Sequence, residues 1–124
     1  MKVVFLGATR GMGRALARLM AARGDTLYLL GRDLQELDKS AADLRARSDA
    51  GVAGVGVCDL NDLNTIEPAL ASADEALGGF DCAVVTAGAF GTQEQLEADL
   101  ERAAGLLHVN FTATIAFCER AEPR

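Results

Sequence analysis

A glycine-rich segment near the start of the chain constrains the fold more than any other feature. The apolar run Lys2–Leu6 has the composition of a buried strand, and glycines follow it at Gly7, Gly11 and Gly13. A helical pattern rich in alanine and arginine begins at Gly11. Such a turn leaves backbone N–H groups open at a helix N-terminus, which is the geometry that binds a dinucleotide pyrophosphate. Glycines also serve ordinary turns, but the position between a strand and a helix favours phosphate binding.

The length of 124 residues predicts a single dinucleotide-binding domain, with no room for a separate substrate domain. Half of the residues are apolar, which is enough for a packed core. The net charge of −6 argues against a nucleic-acid partner, because no basic face opposes the acidic surplus. No apolar stretch approaches the roughly 20 residues that span a bilayer. We therefore expect a cytoplasmic protein without a membrane segment.

The cysteines and the single histidine narrow the chemistry further. Cys58, Cys82 and Cys118 are widely spaced and form no CxxC pair. Two of them lie in apolar runs and are expected to be buried thiols, as is usual in a reducing compartment. We expect no metal site, because His108 is the only histidine and is better explained as a packed or surface residue.

Apolar runs rich in β-branched residues alternate with segments of helical period along the whole chain. The predicted strands are Lys2–Leu6, Thr26–Leu30, Val52–Cys58 and Asp81–Thr86. The predicted helices are about Gly11–Arg23, Asp33–Arg47, Asn61–Leu77 and Leu96–Ala121. Four strand–helix units of this kind predict an α/β fold with a parallel sheet, right-handed crossovers and helices on both faces. The expected arrangement is a Rossmann-type doubly wound parallel sheet with strand order 3-2-1-4.

The helical period also predicts which residues each helix buries. The expected inward residues are Leu16, Leu19 and Met20 in the first helix, Leu34, Leu37, Ala41 and Leu44 in the second, and Leu63, Ile66, Leu70 and Ala73 in the third. Asp33 is expected to cap the second helix. Pro68 lies inside the third helical segment, so that helix is expected to begin late or to bend.

Four segments in order carry a family resemblance. The glycines have the spacing GxxxGxG, with a wider first gap than GxGxxG. Cys58-Asp59-Leu60 ends the third strand, Thr86-Ala87-Gly88 follows the fourth, and Val109-Asn110-Phe111 lies in the last helix. Together these motifs resemble the short-chain dehydrogenase/reductase family over the whole chain. The resemblance implies an NAD(P)-dependent oxidoreductase that moves a hydride between nicotinamide and a carbonyl or alcohol.

The resemblance also implies roles for individual residues. Gly7, Gly11 and Gly13, with Thr9 and Met12 in the same turn, are expected to hold the pyrophosphate. Asp59 and Leu60 are expected beside the adenine, and Ala87 and Gly88 beside the nicotinamide ribose. Asn110 is expected to hold a water of the catalytic proton relay.

Each of these residues has a structural alternative. Asp59 can instead cap the third helix, and Ala87-Gly88 can form an ordinary tight turn. Asn110 lies in an apolar helical stretch, where a buried amide requires hydrogen-bond partners that need not be catalytic.

The end of the second strand predicts the choice of cofactor. NAD(H) is normally held there by a carboxylate, whereas this strand ends in Leu30-Gly31-Arg32-Asp33. Arg32, with Arg10 approaching from the other side, is suited to bind the 2′-phosphate by charge-assisted hydrogen bonds. NADP(H) is therefore the predicted cofactor. NAD(H) is the alternative, because the carboxylate of Asp33 can reach the ribose hydroxyl.

The family's reaction depends on a Tyr-x-x-x-Lys pair and a serine. No segment of this chain matches these active-site residues. Tyr28, the only tyrosine, lies within a strand and roughly 13 Å from Arg32. The chain's serines, Ser40, Ser48 and Ser72, lie in or beside helical segments away from the expected cleft. Only Asn110 matches the active-site set. We expect the chain alone to bind a dinucleotide but to be inactive, and a small carbonyl or alcohol substrate to bind only a longer form.

Two functions follow from these observations. The first is the cofactor-binding portion of an NADP(H)-dependent short-chain dehydrogenase/reductase, without the carboxy-terminal catalytic half. The second is a stand-alone, non-catalytic dinucleotide-binding or interaction module. The run Cys82-Ala83-Val84-Val85 is expected to form an open apolar sheet edge, and the last helix is rich in apolar residues. We therefore expect a homo-oligomer formed through the last helix or the open edge.

Overall fold

The computed structural model describes residues 1–48 and 51–122, in which four parallel strands form one sheet. The strands are β1 (Lys2–Leu6), β2 (Thr26–Gly31), β3 (Val52–Val57) and β4 (Cys82–Val85). Their order is β3-β2-β1-β4, so β1 lies between β2 and β4. This arrangement confirms the predicted Rossmann-type sheet, and the strand ends differ from the prediction by at most one residue.

Helices cover both faces of this sheet. They are α1 (Gly11–Ala22), α2 (Leu34–Arg47), α3 (Ile66–Leu77), α4 (Gln93–Ala98), α5 (Leu100–Leu107) and α6 (Thr114–Ala121). A 3₁₀ turn, Leu63–Thr65, precedes α3, and a π-helical segment, His108–Ala113, joins α5 to α6. Among the residues described, no helix is both long enough and apolar enough to cross a bilayer.

The alternation of side chains along β1 separates two apolar cores. Val3 and Phe5 are fully buried against the α1 and α2 side of the sheet, whereas Val4 and Leu6 are buried on the side of α3 and α6. Phe117, on α6, belongs to the second core and is fully buried. Burial on both faces is what a central parallel strand requires, and it explains the continuous apolar run in the sequence.

The prediction for the buried face of α1 was wrong. Leu19 is 69% exposed and Leu16 is also exposed, and of the three predicted residues only Met20 is buried. The face that packs on the sheet consists of small residues and Met20, namely Gly13, Ala17, Met20 and Ala21. Small residues face the sheet because the start of α1 lies so close to β1 and β4 that Gly13 has no space for a side chain.

Two further leucines that were predicted to be buried are exposed. Leu34 is the first residue of α2, and Leu63 lies in the 3₁₀ turn before α3. Both precede the part of the helix that covers the sheet. The late start of α3 is confirmed, and Pro68 is its third residue, where the backbone needs no N–H donor.

The predicted continuous helix over Leu96–Ala121 was also wrong. Asp99 has an extended backbone and separates α4 from α5. Its carboxylate accepts a hydrogen bond from the Arg102 backbone N–H at 3.2 Å and so caps α5. An aspartate can interrupt a helical pattern in this way because its side chain competes for backbone N–H groups. Beyond Asp99, the helical backbone continues from Leu100 through the π-helical segment to Ala121.

Candidate functional site

A cleft of about 650 Å³ opens at the carboxyl ends of the strands. It lies where the strand order reverses, with β2 on one side of β1 and β4 on the other. This reversal is the position at which open parallel sheets bind their ligands. The predicted residues that line the cleft are Gly7, Thr9, Arg10, Arg32, Asp33, Asp59, Leu60, Ala87 and Gly88. Gly11, Met12, Gly13 and Asn110 do not line it.

The glycine turn between β1 and α1 has the conformation that its sequence predicts. Gly7 and Gly11 have φ values of +115° and +59°, which side chains of L-residues rarely permit. Gly13 has no space for a side chain, because a Cβ at this position would collide with the Gly7 carbonyl and with the Thr86 hydroxyl. Gly13 thus allows α1 to start close to the sheet, and we assign it to packing.

The N-terminus of α1 carries no side-chain cap. Arg10 occupies the cap position and makes no capping hydrogen bond, and the first turn contains no acidic residue. By contrast, Asp33 accepts hydrogen bonds from the Gln35 and Glu36 backbone N–H groups at 3.0 and 3.3 Å and caps α2, as predicted. The first N–H groups of α1 are therefore left for an anion beside the glycine turn.

Two arginines of the cleft have no partner in the part of the chain that the structure describes. Arg10 and Arg32 are both exposed, and neither forms an ion pair or a side-chain hydrogen bond with residues 1–48 or 51–122. Other arginines do form ion pairs, among them Arg18 with Asp43 at 3.1 Å. Unpaired guanidinium groups at the mouth of a cleft are available to a phosphate group.

The end of the cleft near β3 holds Asp59, whose carboxylate is already hydrogen-bonded. Its Oδ1 accepts from the Asn61 backbone N–H at 2.9 Å and from Asn61 Nδ2 at 3.2 Å. Asp59 does not cap the third helix as the structural alternative required. Asp62 caps the 3₁₀ turn that precedes α3, by accepting from the Asn64 backbone N–H at 3.0 Å.

Cys58 lies next to Asp59 and also lines the cleft. Burial raises the pKa of the Cys58 thiol to about 11, against a smaller opposing effect of a hydrogen bond with Thr65. The thiol is therefore neutral at physiological pH. Of the three cysteines, Cys58 is buried, Cys82 is half-buried and Cys118 is exposed.

The other end of the cleft is built by the loop after β4 and the π-helical segment. Asn110 accepts a hydrogen bond from the Ala89 N–H at 2.7 Å and donates one to the Ala89 carbonyl at 2.8 Å. The expectation of a buried amide was wrong, since Asn110 is exposed, but the expected partners are present. A Cβ on Gly88 would lie 3.0 Å from Asn110 Oδ1, so a larger residue there would require the amide to shift slightly.

Several residues of the cleft were not among the predicted site residues. They are Leu6, Leu30, Gly31, Cys58, Asn61, Thr86, Ala89, Phe90 and Val109. Thr86 stands out, because its hydroxyl donates a hydrogen bond to the Gly7 carbonyl at 3.1 Å. Their position in the sequence could have identified them, since most of these residues lie at or just beyond the end of a strand. Among the described residues, no group of three or more His, Cys, Asp or Glu is placed to hold a metal ion.

The sheet order, the cleft and the glycine turn define a Rossmann-type domain, the class of α/β fold that binds dinucleotides. The family model described as short chain dehydrogenase matches residues 1–124, and the chain belongs to this family. The family resemblance in the sequence is thus confirmed. This match favours the oxidoreductase interpretation over the stand-alone module.

Curated relatives support the same assignment. An uncharacterised oxidoreductase of Myxococcus xanthus is 30% identical over 122 residues, which are 95% of this chain and 46% of that protein. Carbonyl reductase family member 4 of Xenopus tropicalis is 30% identical over 115 residues, which are 93% of this chain and 46% of that protein. The chain therefore spans about half the length of these two relatives.

Solved structures agree with the fold. A short-chain dehydrogenase/reductase (glucose/ribitol dehydrogenase) from Brucella melitensis matches 98% of this chain and 50% of its own, with 31% identity and a TM-score of 0.85. A variant of actinorhodin polyketide ketoreductase with NADPH matches 97% of this chain and 45% of its own, with 26% identity and a TM-score of 0.85. The family uses NAD(P) as its cofactor.

Proposed function

We propose that this chain is the NADP(H)-binding part of a short-chain dehydrogenase/reductase whose full form transfers a hydride between nicotinamide and a carbonyl or alcohol. One observation carries the proposal. Arg10 and Arg32, both without a partner in the described residues, line the same cleft as the glycine turn at Gly7. The substrate is proposed to bind only when the chain is part of a longer form.

The glycine turn fits the diphosphate of such a cofactor. Gly7 presents bare backbone at the cleft, and the N-terminus of α1, which begins at Gly11, has neither a side-chain cap nor an acidic residue that would repel an anion. We propose that Thr9 and Met12, in the same turn, complete this subsite. Met12 is 86% exposed and is therefore free to cover a ligand.

The two arginines fit the 2′-phosphate that distinguishes NADP(H) from NAD(H). Arg10 precedes α1 and Arg32 follows β2, so the two guanidinium groups reach the same edge of the sheet from neighbouring loops. One oxygen of the Asp33 carboxylate accepts two backbone hydrogen bonds at the start of α2. This use as a cap weakens the case for a ribose contact from Asp33, and NADP(H) is accordingly favoured over NAD(H).

We propose that Asp59 and Leu60 flank the adenine, and that Ala87 and Gly88 lie along the nicotinamide ribose. When bound, the nicotinamide supplies or accepts the hydride. We propose that Asn110 holds a water of the catalytic proton relay. Both polar groups of its side chain already bond to Ala89, so this side chain also holds the loop beside the nicotinamide end of the cleft.

A cytoplasmic location and self-association are further parts of the proposal. The cysteines at positions 58, 82 and 118 are all free thiols, which suits a reducing compartment. Four large apolar side chains are exposed along α5, the π-helical segment and α6, namely Leu100, Leu107, Phe111 and Ile115. We propose that a second copy of the chain covers them or the open edge of β4.

Calorimetric titration of the folded chain with NADPH and with NADH tests the cofactor assignment. We expect NADPH to bind more tightly, and Arg32→Ala to weaken NADPH binding by about tenfold or more while changing NADH binding little. Arg120→Ala is the matched control, because Arg120 is an exposed arginine of α6 outside the cleft. A folded sample that binds neither nucleotide would contradict the proposal.

A further inference from the structure

Thr86 connects the end of β4 to the glycine turn. Its hydroxyl donates a hydrogen bond to the Gly7 carbonyl at 3.1 Å. The backbone N–H groups of Thr86 and Ala87 both donate to the Leu6 carbonyl, at 2.9 and 3.2 Å. Thr86 is thus attached through its backbone to the last residue of β1 and through its side chain to the first residue of the turn.

The hydroxyl of Thr86 also lies at the closest approach between the turn, α1 and β4. A Cβ built on Gly7 or on Gly13 would collide with Thr86 Oγ1. Gly7 has a φ of +115°. Glycine has many other backbone conformations available, so a contact is needed to keep it in this one. Since the peptide unit is planar, a bond that orients the Gly7 carbonyl also orients the N–H of Ala8.

We propose that Thr86 is a positioning residue that holds the glycine turn in the conformation that binds the diphosphate of the cofactor. The inference rests on the proposed function, and it adds the residue that follows β4 to a subsite otherwise formed by the β1–α1 turn. Thr86 acts through Gly7. Without the hydroxyl, a smaller fraction of the molecules has the turn in the binding conformation. The apparent affinity for the cofactor falls in proportion to that fraction.

The same contact joins the two ends of the cleft. Thr86 is followed directly by Ala87 and Gly88, which line the other end, and Gly88 lies against Asn110. A shift of the glycine turn is therefore transmitted to the loop after β4 through one side chain. Thr86 is exposed to the cleft, so substitutions that keep its size do not create a cavity in either core.

Two pairs of variants separate the hydroxyl from the rest of the side chain. Thr86→Val replaces the hydroxyl by a methyl group, and Thr86→Ala differs from Thr86→Ser only in the hydroxyl. We expect the Val and Ala variants to bind NADPH about 3- to 10-fold more weakly, and Thr86→Ser to restore binding to within about 2-fold. Thr112→Val, at an exposed threonine outside the cleft, is the matched control.

Adenosine 2′-monophosphate gives a readout that a merely structural role would not move. It carries the adenine and the 2′-phosphate but no diphosphate, so its affinity should be the same in all of these variants. The measurement is calorimetry below the unfolding temperature of each variant. If Thr86→Val does not fold, the Ala and Ser pair provides the same comparison.

Three results would overturn the inference. Equal NADPH affinity in the variants with and without the hydroxyl would refute it while leaving the proposed function intact. Equal weakening of NADPH and adenosine 2′-monophosphate would show that the residue does not act on the diphosphate turn. Failure of the folded wild-type chain to bind NADPH would reject the proposed function and this inference with it.

Discussion

Asn110 and Ala89 form a reciprocal pair of hydrogen bonds that fastens the loop after β4 to the π-helical segment. The Ala89 N–H donates to Asn110 Oδ1 at 2.7 Å, and Asn110 Nδ2 donates to the Ala89 carbonyl at 2.8 Å. An amide is suited to this pairing, because it offers an acceptor and a donor side by side. One side chain therefore satisfies both backbone groups of a loop residue that lines the cleft.

Asn110→Asp should destabilise the chain. The aspartate can still accept from the Ala89 N–H, but it loses the donor and brings a carboxylate against the Ala89 carbonyl. We expect a loss of about 1–2 kcal/mol in the free energy of unfolding, measured by urea denaturation at pH 7. Asn64→Asp, at an exposed position of the 3₁₀ turn, is the control. Equal stability of the two variants would mean that the Ala89 contacts contribute little.

Gly13→Ala and Gly105→Ala should have opposite effects. A Cβ on Gly13 would collide with backbone and side-chain atoms, whereas a Cβ on Gly105, within α5, meets no atom within 4 Å. We expect Gly13→Ala to cost about 1–3 kcal/mol because α1 must move away from the sheet. We expect Gly105→Ala to stabilise the chain by about 0.5–1 kcal/mol, because alanine favours the helix. Urea denaturation of both variants checks the signs, and a stabilising Gly13→Ala would contradict the proposed packing.

Cys58 and Cys118 should differ strongly in alkylation rate. Burial raises the pKa of Cys58 to about 11, so only about one thiol in a thousand is ionised at pH 8, whereas Cys118 is exposed on α6. We expect iodoacetamide at pH 8 to modify Cys118 first and Cys58 much more slowly, as followed by peptide mass spectrometry. Bound NADPH should slow Cys58 further, because this residue lines the cleft. Cys118→Ser should remove the fast phase, and rapid modification of Cys58 in that variant would count against its burial.

The buried carboxylate of Asp25 should make stability depend on acid pH. The N-terminal amine at 2.8 Å and the Arg23 guanidinium at 2.6 Å bond to it and lower its pKa below the ordinary value of 3.8. Since the folded pKa is the lower one, the contribution is fully present at pH values well above 3.8 and is lost as the pH falls through the folded pKa.

Asp25→Asn should therefore be less stable than the wild type at pH 7, and the difference should shrink on acidification. Urea denaturation at pH 7 and at pH 3 measures it, with Asp38→Asn on the exposed face of α2 as the control. A difference that is constant across this range would show that the charge of Asp25 does not carry the effect.

Self-association should depend on the exposed apolar residues of the last helices. Phe111 and Ile115 are 65% and 52% exposed and lie four residues apart, so they share one face of the helical run. We expect Ile115→Lys to shift the sedimentation coefficient of the chain toward that of the monomer, because a charge would be buried in the contact. Ala46→Lys, at an exposed position of α2, is the control. A wild-type chain that is monomeric at micromolar concentration would reject the proposal of a homo-oligomer.

The sequence by itself determined the features that depend on local chemistry. The run Lys2–Leu6 is a strand because it is apolar throughout, Asp33 caps α2 because its carboxylate reaches two nearby N–H groups, and α3 begins shortly before Pro68. Four alternating units predicted a parallel sheet with right-handed crossovers, and the order 3-2-1-4 was the one expected of a Rossmann-type sheet. The glycine turn, the arginines and the family resemblance located half of the residues that line the cleft, since ligands of such sheets bind at the ends of the strands.

Only the tertiary structure decided the features that depend on contacts between distant segments. The helical period permitted α1 to bury either its leucines or its small residues, and the close approach of Gly13 to Gly7 and Thr86 selected the small ones. The partner of Asn110 lies 21 residues away in the sequence, so no periodicity reveals it. The hydroxyl of Thr86 meets a carbonyl 79 residues away for the same reason. Such contacts form only because the sheet brings the ends of β1 and β4 together.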